Sequence, residues 1–345
     1  MKIKPIRVGK KFVGEGHGCY IIAEIGSNFD GRLSKAKRLI KQAKECGADA
    51  TKFQSFITEQ LLSKRGFEKK LAFQSNWEKS VWKTYKDAEL PRRWHGELNE
   101  YAKKIGIDFF SSPWDFDAVD LLEELKVSAF KVGSGDVTYL EILKHIGKKR
   151  KPVFLATGAS TMKEVKDAIT TIKSTGNNKI ILMHSVVQYP SPIEDANLRV
   201  LETLKEKFHL NVGYSDHSPG SLIALASVAL GACVIEKHFT LDPQSKGPDH
   251  SHSMNPESFK EMVQDIRLLE KAFGDGRKKV EQSERETRII QRRGIWTTKS
   301  IMKGERFSEK NIKALRPVQG ISASNLKSLL GKVAKKNYRA YQPIS

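Results

Sequence analysis

From residue 19 to residue 238 the chain alternates between two textures. Short apolar, β-branched runs recur: CYIIAEIG from 19, DATKFQ from 49, IDFFSSP from 107, AFKVGSG from 129, PVFLATG from 152, IILMHSVVQYP from 180, NVGYSDHS from 211 and CVIEKHFT from 233. Runs of this length, without polar alternation along their bodies, predict strands covered on both faces, as in a parallel sheet. Most segments between them have helical spacing. In LSKAKRLIKQAKECG, Leu33, Ala36, Leu39, Ile40 and Ala43 share one face, and SLIALASVALG at 221–231 is apolar throughout. Eight strand–helix alternations over about 220 residues predict an α/β fold, a (β/α)8 TIM barrel. One insertion, 56–90, breaks the rhythm; it is polar and aromatic, with Trp77, Trp82 and Tyr85, and reads as a lid or an interface segment.

After the eighth strand, Asn255-Pro256 opens a helix with a cap and a first-turn proline, and Phe259, Met262, Val263, Ile266, Leu269 and Phe273 follow at helical spacing as core positions. Gly274-Asp275-Gly276 ends it. The charged stretch RKKVEQSERETRIIQRR reads as a linker, and from Gly294 the pattern changes to short β segments and tight turns, with one helical NLKSLLG. The expected organisation is a barrel domain at 1–276, a linker at 277–293 and a small β-rich domain at 294–345.

Composition narrows the class. No apolar stretch is long enough for a signal peptide or a bilayer span, so a soluble, cytoplasmic protein with no membrane partner is expected. Cys19, Cys46 and Cys233 form no CxxC pair and sit in or beside apolar segments, as buried reduced thiols do. The net charge of +20 is the largest deviation, and +11 of it lies from Lys279 onward, where 16 Lys and Arg face 5 Glu. A basic nucleic-acid-binding protein is the rival class this raises. The chain has no Arg/aromatic clusters of the stacking kind and no nucleic-acid motif, so no nucleic-acid partner is expected.

Barrel enzymes carry their chemistry at the carboxyl ends of the strands. Here those ends supply Glu24, Lys52 with Gln54, Ser111 with Ser112, Lys131 with Ser134 and Asp136, Thr157, His184 with Gln188 and Tyr189, Ser215 with Asp216 and His217, and Glu236 with Lys237 and His238. Any one of these could be a hydrogen-bonded structural residue. Polar groups at all eight tips, above apolar strand bodies, predict a shared pocket. Lys52, Lys131, Ser112, Ser134 and Ser215, with Gly133 and Gly135, form a candidate anion cradle whose obvious guest is a phosphate. His217 and His238, from neighbouring strand ends, could share a divalent ion with open coordination positions. His184 competes for that role; its place before the Gln188-Tyr189-Pro190 turn would aim it into the barrel interior.

These residues reach a resemblance. IAEIGSN at 22–28, ADATKFQ at 48–54, FKVGSGD at 130–136, TGAS at 157–160, YPSP at 189–192, GYSDHS at 213–218, EKHFT at 236–240 and GPDHSHSMNP at 247–256 follow, in order, the pattern of the sialic acid synthase family. The tail from Gly294 resembles that family's antifreeze-like SAF domain. The resemblance covers almost the whole chain. It implies condensation of phosphoenolpyruvate with an N-acylated hexosamine such as N-acetylmannosamine, releasing inorganic phosphate; the family also holds 9-phosphate, legionaminate and pseudaminate synthases. By that similarity Lys52, Ser112, Lys131, Ser134 and Ser215 would hold phosphoenolpyruvate, with Thr157 near its phosphate and Lys52 among the catalytic groups. His217 and His238 match the metal ligands, for manganese or magnesium. Glu24, Gln54, Tyr189 and Asp249 match positions that grip the sugar, and Asp136 is the candidate that deprotonates the attacking water. Arg316, in LRPVQGI, matches an arginine that reaches the partner subunit's site in a domain-swapped homodimer. Three positions depart from the common pattern: Phe29 after Asn28, Val187, and Ala156.

Overall fold

A computed structural model describes residues 3–70, 74–75 and 77–345. The chain divides into two compact units, Met1–Phe273 and Gly274–Ser345.

The first unit opens with a hairpin, β1 (Ile6–Val8) and β2 (Lys11–Val13), and continues into eight strands: β3 (Tyr20–Glu24), β4 (Ala50–Ser55), β5 (Asp108–Pro113), β6 (Phe130–Val132), β7 (Val153–Ala156), β8 (Ile180–Ser185), β9 (Asn211–Asp216) and β10 (Val234–His238). They form one sheet in the order β5-β4-β3-β10-β9-β8-β7-β6, and the neighbour pairs in this order run parallel. The two ends of that order, β5 and β6, touch, so the sheet curls into a nearly closed barrel. The eight strands are those the apolar runs predict. The hairpin is not, because its two three-residue strands bury only Val8 and Val13 fully among charged neighbours.

Helices wrap the barrel, beginning with α1 (Leu33–Glu45), whose Ala36, Leu39, Ile40 and Ala43 are buried as the spacing requires. The insertion carries α2 (Thr58–Leu61) and α3 (Val81–Ala88); four of its residues, Leu71, Ala72, Phe73 and Asn76, lie outside the described part. Then come α4 (Arg92–Ile105), α5 (Phe116–Glu124), α6 (Leu140–Lys148), α7 (Met162–Ser174), α8 (Val200–Phe208), α9 (Leu222–Ala229) and α10 (Pro256–Ala272). The last is capped by the Asn255 side chain, which accepts the Ser258 N–H, with Pro256 in its first turn.

The amino ends of the strands are tied together. Asp49 accepts the Ile21 N–H at 2.8 Å and an Arg267 N–H at 3.3 Å, and pairs with Lys11 of the hairpin. Arg267 also donates to the Cys19 carbonyl at 2.8 Å, the Tyr20 hydroxyl donates to Asp108 at 2.6 Å, and Asn211 donates to the Lys4 carbonyl at 2.9 Å. Thus α10 and the N-terminal hairpin are both fastened to the barrel floor. All three cysteines are free and buried.

The second unit has its own small core of Ile295, Ile301, Phe307, Ile312, Leu329, Ala334, Tyr338 and Ile344. The stretch 277–293 contains α11 (Arg285–Gln291), and its Ile289 carbonyl accepts the Val318 N–H at 3.0 Å. β11 (Gly294–Thr297) and β12 (Ile312–Leu315) pair antiparallel, and the helix α12 (Leu326–Leu329) follows. No helix among the described residues is long and apolar enough to cross a membrane.

Candidate active site

Strand alternation sorts the polar residues at the carboxyl ends into two sets. In β10, Glu236 and His238 line a cavity of about 1440 Å³, while Lys237 between them turns to the other face. There Lys237 donates to Asp216 at 2.7 Å, its register neighbour in β9, and to the Ser218 carbonyl. The charged triplet of VIEKHFT thus has two functions: its outer members face the pocket, and its middle one closes a buried ion pair behind the sheet. The same alternation places Ser185 in the cavity and His184 outside it. His184 shares a hydrogen bond with the Ala196 carbonyl at 3.0 Å and sets its ring edge-on to Tyr214, which corrects the expectation that it aims into the barrel.

Four buried charges form the floor. Glu236 Oε1 accepts from Lys131 at 2.9 Å and Ser215 at 3.0 Å, with Lys52 Nζ at 3.5 Å. Lys52 Nζ lies 3.1 Å from Glu24 Oε2 and 3.3 Å from Ser112 Oγ, and Gln54 donates to Glu24 Oε1 at 2.7 Å. Two ammonium groups and two carboxylates therefore balance inside the barrel, where an unpaired charge would be costly. The two carboxyls differ. Burial raises both, but Lys131 and Lys52 override it at Glu236, which is held low, to about 2. At Glu24 burial prevails over the attraction of Lys52, and its carboxyl is pushed up to about 7.

On one side of this floor lies an array of hydroxyls. Ser134 Oγ sits 3.2 Å from Ser185 Oγ and accepts the Gly158 N–H at 3.1 Å. Ser112, Ser134, Ser185 and Ser215 all line the cavity, as does Asp136, whose carboxyl burial raises to about 6. Thr157 does not line it; its hydroxyl donates to the Met183 carbonyl at 3.3 Å. Of the three departures from the family pattern, Ala156 and Val187 line the cavity, whereas Phe29 packs in the core against Phe53 and Trp94.

On the other side the imidazoles gather. One nitrogen each of His238 and His252 and an oxygen of Asp249 lie within 4.8 Å of one another, a spacing that can hold a metal ion. His238 Nδ1 and His252 Nε2 are buried and have no hydrogen-bond partner among the described residues. Burial lowers the pKa of both rings, keeping them neutral with lone pairs available. Asp249 is held in place by the Ser27 N–H and hydroxyl, each at 2.8 Å. Gly26 makes this possible: its φ is +52°, and a Cβ there would stand 2.4 Å from Asp249 Oδ2. His217, expected as the second ligand, has its ring centroid 5.6 Å from that of His238 and donates Nδ1–H to the Val186 carbonyl at 2.8 Å. That bond leaves the Nε2 lone pair of His217 for the cavity it lines. Tyr189 packs against His217, with centroids 4.3 Å apart, and against His252 at 5.1 Å.

Three cavity residues carried no role in the sequence reading. Glu236 was one of the strand-end residues, and the two-residue step to His238 was the available signal. Ser185 has the same two-residue step to Val187, which also lines the cavity. His252 lies beyond the last strand, where no period applies. Its neighbour His250 uses both nitrogens, on Thr240 at 2.6 Å and Asp30 at 2.9 Å, which leaves His252 as the free imidazole of HSH. Arg316 stands in the second unit, exposed, directly after β12.

A parallel barrel with paired lysines, a hydroxyl array and an imidazole cluster at one mouth has the architecture of a barrel enzyme, with a mouth that could hold an anion beside a metal ion. The sequence places it further. The NeuB family model matches residues 39–278 and the SAF domain model residues 292–345. The chain belongs to the NeuB family of sialic acid synthases. It is 44% identical over 324 residues to N,N'-diacetyllegionaminic acid synthase of Campylobacter jejuni, covering 92% of this chain and 96% of the relative. It is 39% identical over 271 residues to N-acetylneuraminate-9-phosphate synthase of Mus musculus, covering 78% and 75%. The crystal structure of N-acetylneuraminic acid synthetase from Leptospira borgpetersenii in complex with citrate is similar at a TM-score of 0.73 and 32% identity, covering 82% of this chain and 95% of that one.

Proposed function

We propose that this chain condenses phosphoenolpyruvate with an N-acylated hexosamine of the N-acetylmannosamine type and with water, giving a nonulosonic acid and inorganic phosphate. The observation that carries this reading is the buried Lys52–Glu24–Lys131–Glu236 floor set between hydroxyls and imidazoles. Lys52 and Lys131, with Ser112, Ser134 and Ser215, hold the anionic enol ester. Gln54, Glu24 and Tyr189 orient the sugar so that its aldehyde carbon faces C3 of the enol.

In the balanced reaction the enol π bond of C2–C3 and the aldehyde π bond open, C3–C and C2–O(water) bonds form, and the C2–O(phosphate) bond breaks. C3 bonds to the aldehyde carbon and the aldehyde oxygen takes a proton. Water adds at C2 and gives up one proton, and the C2–O bond to phosphate then breaks with the electron pair going to phosphate, while the new C2 hydroxyl passes its remaining proton to the phosphate and becomes the C2 carbonyl. Asp136, ionised above about pH 6, accepts the proton of that water. His238, Asp249 and His252, with His217 as the further candidate, would hold a divalent ion, Mn2+ or Mg2+, and three or four protein ligands leave positions for water and a carbonyl. When bound, that ion supplies Lewis-acid polarisation of the aldehyde oxygen. Arg316 acts from the partner subunit in a domain-swapped homodimer. Close alternatives within the family are the 9-phosphate, legionaminate and pseudaminate syntheses, which differ only in the sugar.

The test is phosphate release. Release requiring both phosphoenolpyruvate and an N-acylmannosamine-type sugar, lost on chelation and restored by manganese, is the expected result. No release with any sugar of a phosphorylated and unphosphorylated panel, with manganese present, would overturn the proposal.

A further inference from the structure

Among the described residues three lysines are buried, and Lys237 alone has no part in the reaction proposed above. Its side chain is 1% exposed, and its partner Asp216 is fully enclosed. Stability alone does not call for such a pair. Two apolar side chains of similar volume commonly pack in its place as well or better, while removing one partner strands a buried charge. Its position in the sheet points to another role.

Lys237 and Asp216 are the last register pair between β10 and β9, and His238 and His217 each stand one residue further on. The two imidazoles are not held alike. His238 is still within β10, where it pairs with Glu24 of β3 and its carbonyl accepts the Met254 N–H at 2.9 Å. His217 lies past the end of β9, and the backbone bond to its carbonyl comes from Ser191, in a loop. Lys237 reaches both of its flanks: the ammonium group donates to Asp216 on one side of His217 and to the Ser218 carbonyl on the other. Asp216 closes the clamp, since its second oxygen accepts the Ser218 N–H at 2.8 Å and hydroxyl at 2.6 Å. The backbone at His217 is thus fastened from behind the sheet, and the Val186 carbonyl, accepting Nδ1–H at 2.8 Å, sets the ring.

We infer that Lys237 is a positioning residue: through Asp216 and Ser218 it holds His217 where the free ring nitrogen can join His238, Asp249 and His252 on a divalent ion. The inference rests on the metal-holding role given to His217 above. Strand alternation keeps the ammonium group on the far face, so it orients the ligand without turning its own charge toward the ion. Groups that hold a metal ligand in place commonly set metal affinity by about 10- to 100-fold.

Full-length protein freed of metal by a chelator is titrated with Mn2+, and the unbound ion is read by electron paramagnetic resonance. Four proteins form a cycle: wild type, the double variant Asp216→Asn with Lys237→Met, His217→Ala, and all three changes together. The double variant removes both charges at once, so neither is stranded and its thermal transition should stay near that of the wild type. It should raise the Mn2+ dissociation constant about tenfold or more. In the His217→Ala background the same two changes should move it less than about twofold, because the residue they act through is gone. A general loosening of the site would instead multiply with the loss of His217. A double variant that binds Mn2+ as tightly as wild type, or effects that multiply, overturns the inference while the synthase reading stands on phosphate release. Wild-type protein that binds no Mn2+ overturns the inference and the metal-dependent reading together. Should the double variant fail to fold, Lys237→Gln, neutral and shorter, takes its place in the cycle with the same expected and overturning outcomes.

Discussion

Glu236 is the residue on which the floor turns, because one oxygen accepts from Lys131 and Ser215 and lies near Lys52. Replacing it by Gln removes the charge and keeps the shape. Two buried ammonium groups would then share Glu24 alone, a loss of the kind that costs about 3–5 kcal/mol when one partner of a buried pair is removed. Glu236→Gln should therefore lower the melting temperature and reduce kcat/KM by at least about a hundredfold, equivalent to roughly 2.7 kcal/mol. Differential scanning fluorimetry and the phosphate assay check the two effects separately. If Asp136 accepts the water proton as proposed, it sets the acid limb of the pH profile. Burial raises its carboxyl to about 6, so below that pH it carries a proton and cannot accept one from water. The Asp136 contribution to kcat/KM should level off above about pH 6.5 and fall with unit slope below about pH 5.5, with Glu24, raised to about 7, adding a second step near neutrality. In Asp136→Asn the residual rate should lose that limb, and a limb that persists would assign it to another group.

At the scale of elements, the barrel was legible and its decoration less so. Each strand announced itself because a strand covered on both faces has no polar alternation to hide it, and the eight runs from Tyr20 to His238 form the eight-stranded sheet. The same property concealed which strand-end side chains face inward, since an all-apolar body gives no phase. Lys237 and His184 stand in runs of inward candidates, yet bond to Asp216 and to the Ala196 carbonyl outside the cavity. Gly213 is a tight point of this element packing: a Cβ there would lie 2.6 Å from Met183 Sδ and 2.7 Å from the Val234 backbone oxygen. Strand backbone cannot yield as a side chain tip can. Gly213→Ala should cost about 1–3 kcal/mol, the usual penalty for overpacking a core, read as a lower urea midpoint with unchanged slope.

For the whole molecule, charge is distributed unevenly: +11 of the +20 lies from Lys279 onward, while the described barrel mouth has more carboxylates than ammonium groups. Arg316 belongs to the basic second unit. If it works across a domain-swapped dimer, two disabled subunits can repair one another. Arg316→Ala and Lys131→Ala proteins, each inactive alone, should regain about a quarter of wild-type activity after being mixed, unfolded and refolded together, because half the random dimers carry one intact site of two. Activity that stays at the level of the separate variants would place the arginine's action within its own subunit.

The floor of the barrel bears on how such a protein can change. Arg267 near the end of the barrel unit and Lys11 near its beginning converge on Asp49, so the first and last elements of that unit are hooped together below the sheet. That hoop lies at the opposite ends of the strands from the catalytic mouth, where Asp249, His252 and the insertion at 56–90 hang from connecting loops. Integrity and chemistry thus have separate addresses on the same staves. Rim loops can be remodelled for a new acceptor while the cinched base keeps the vessel in shape.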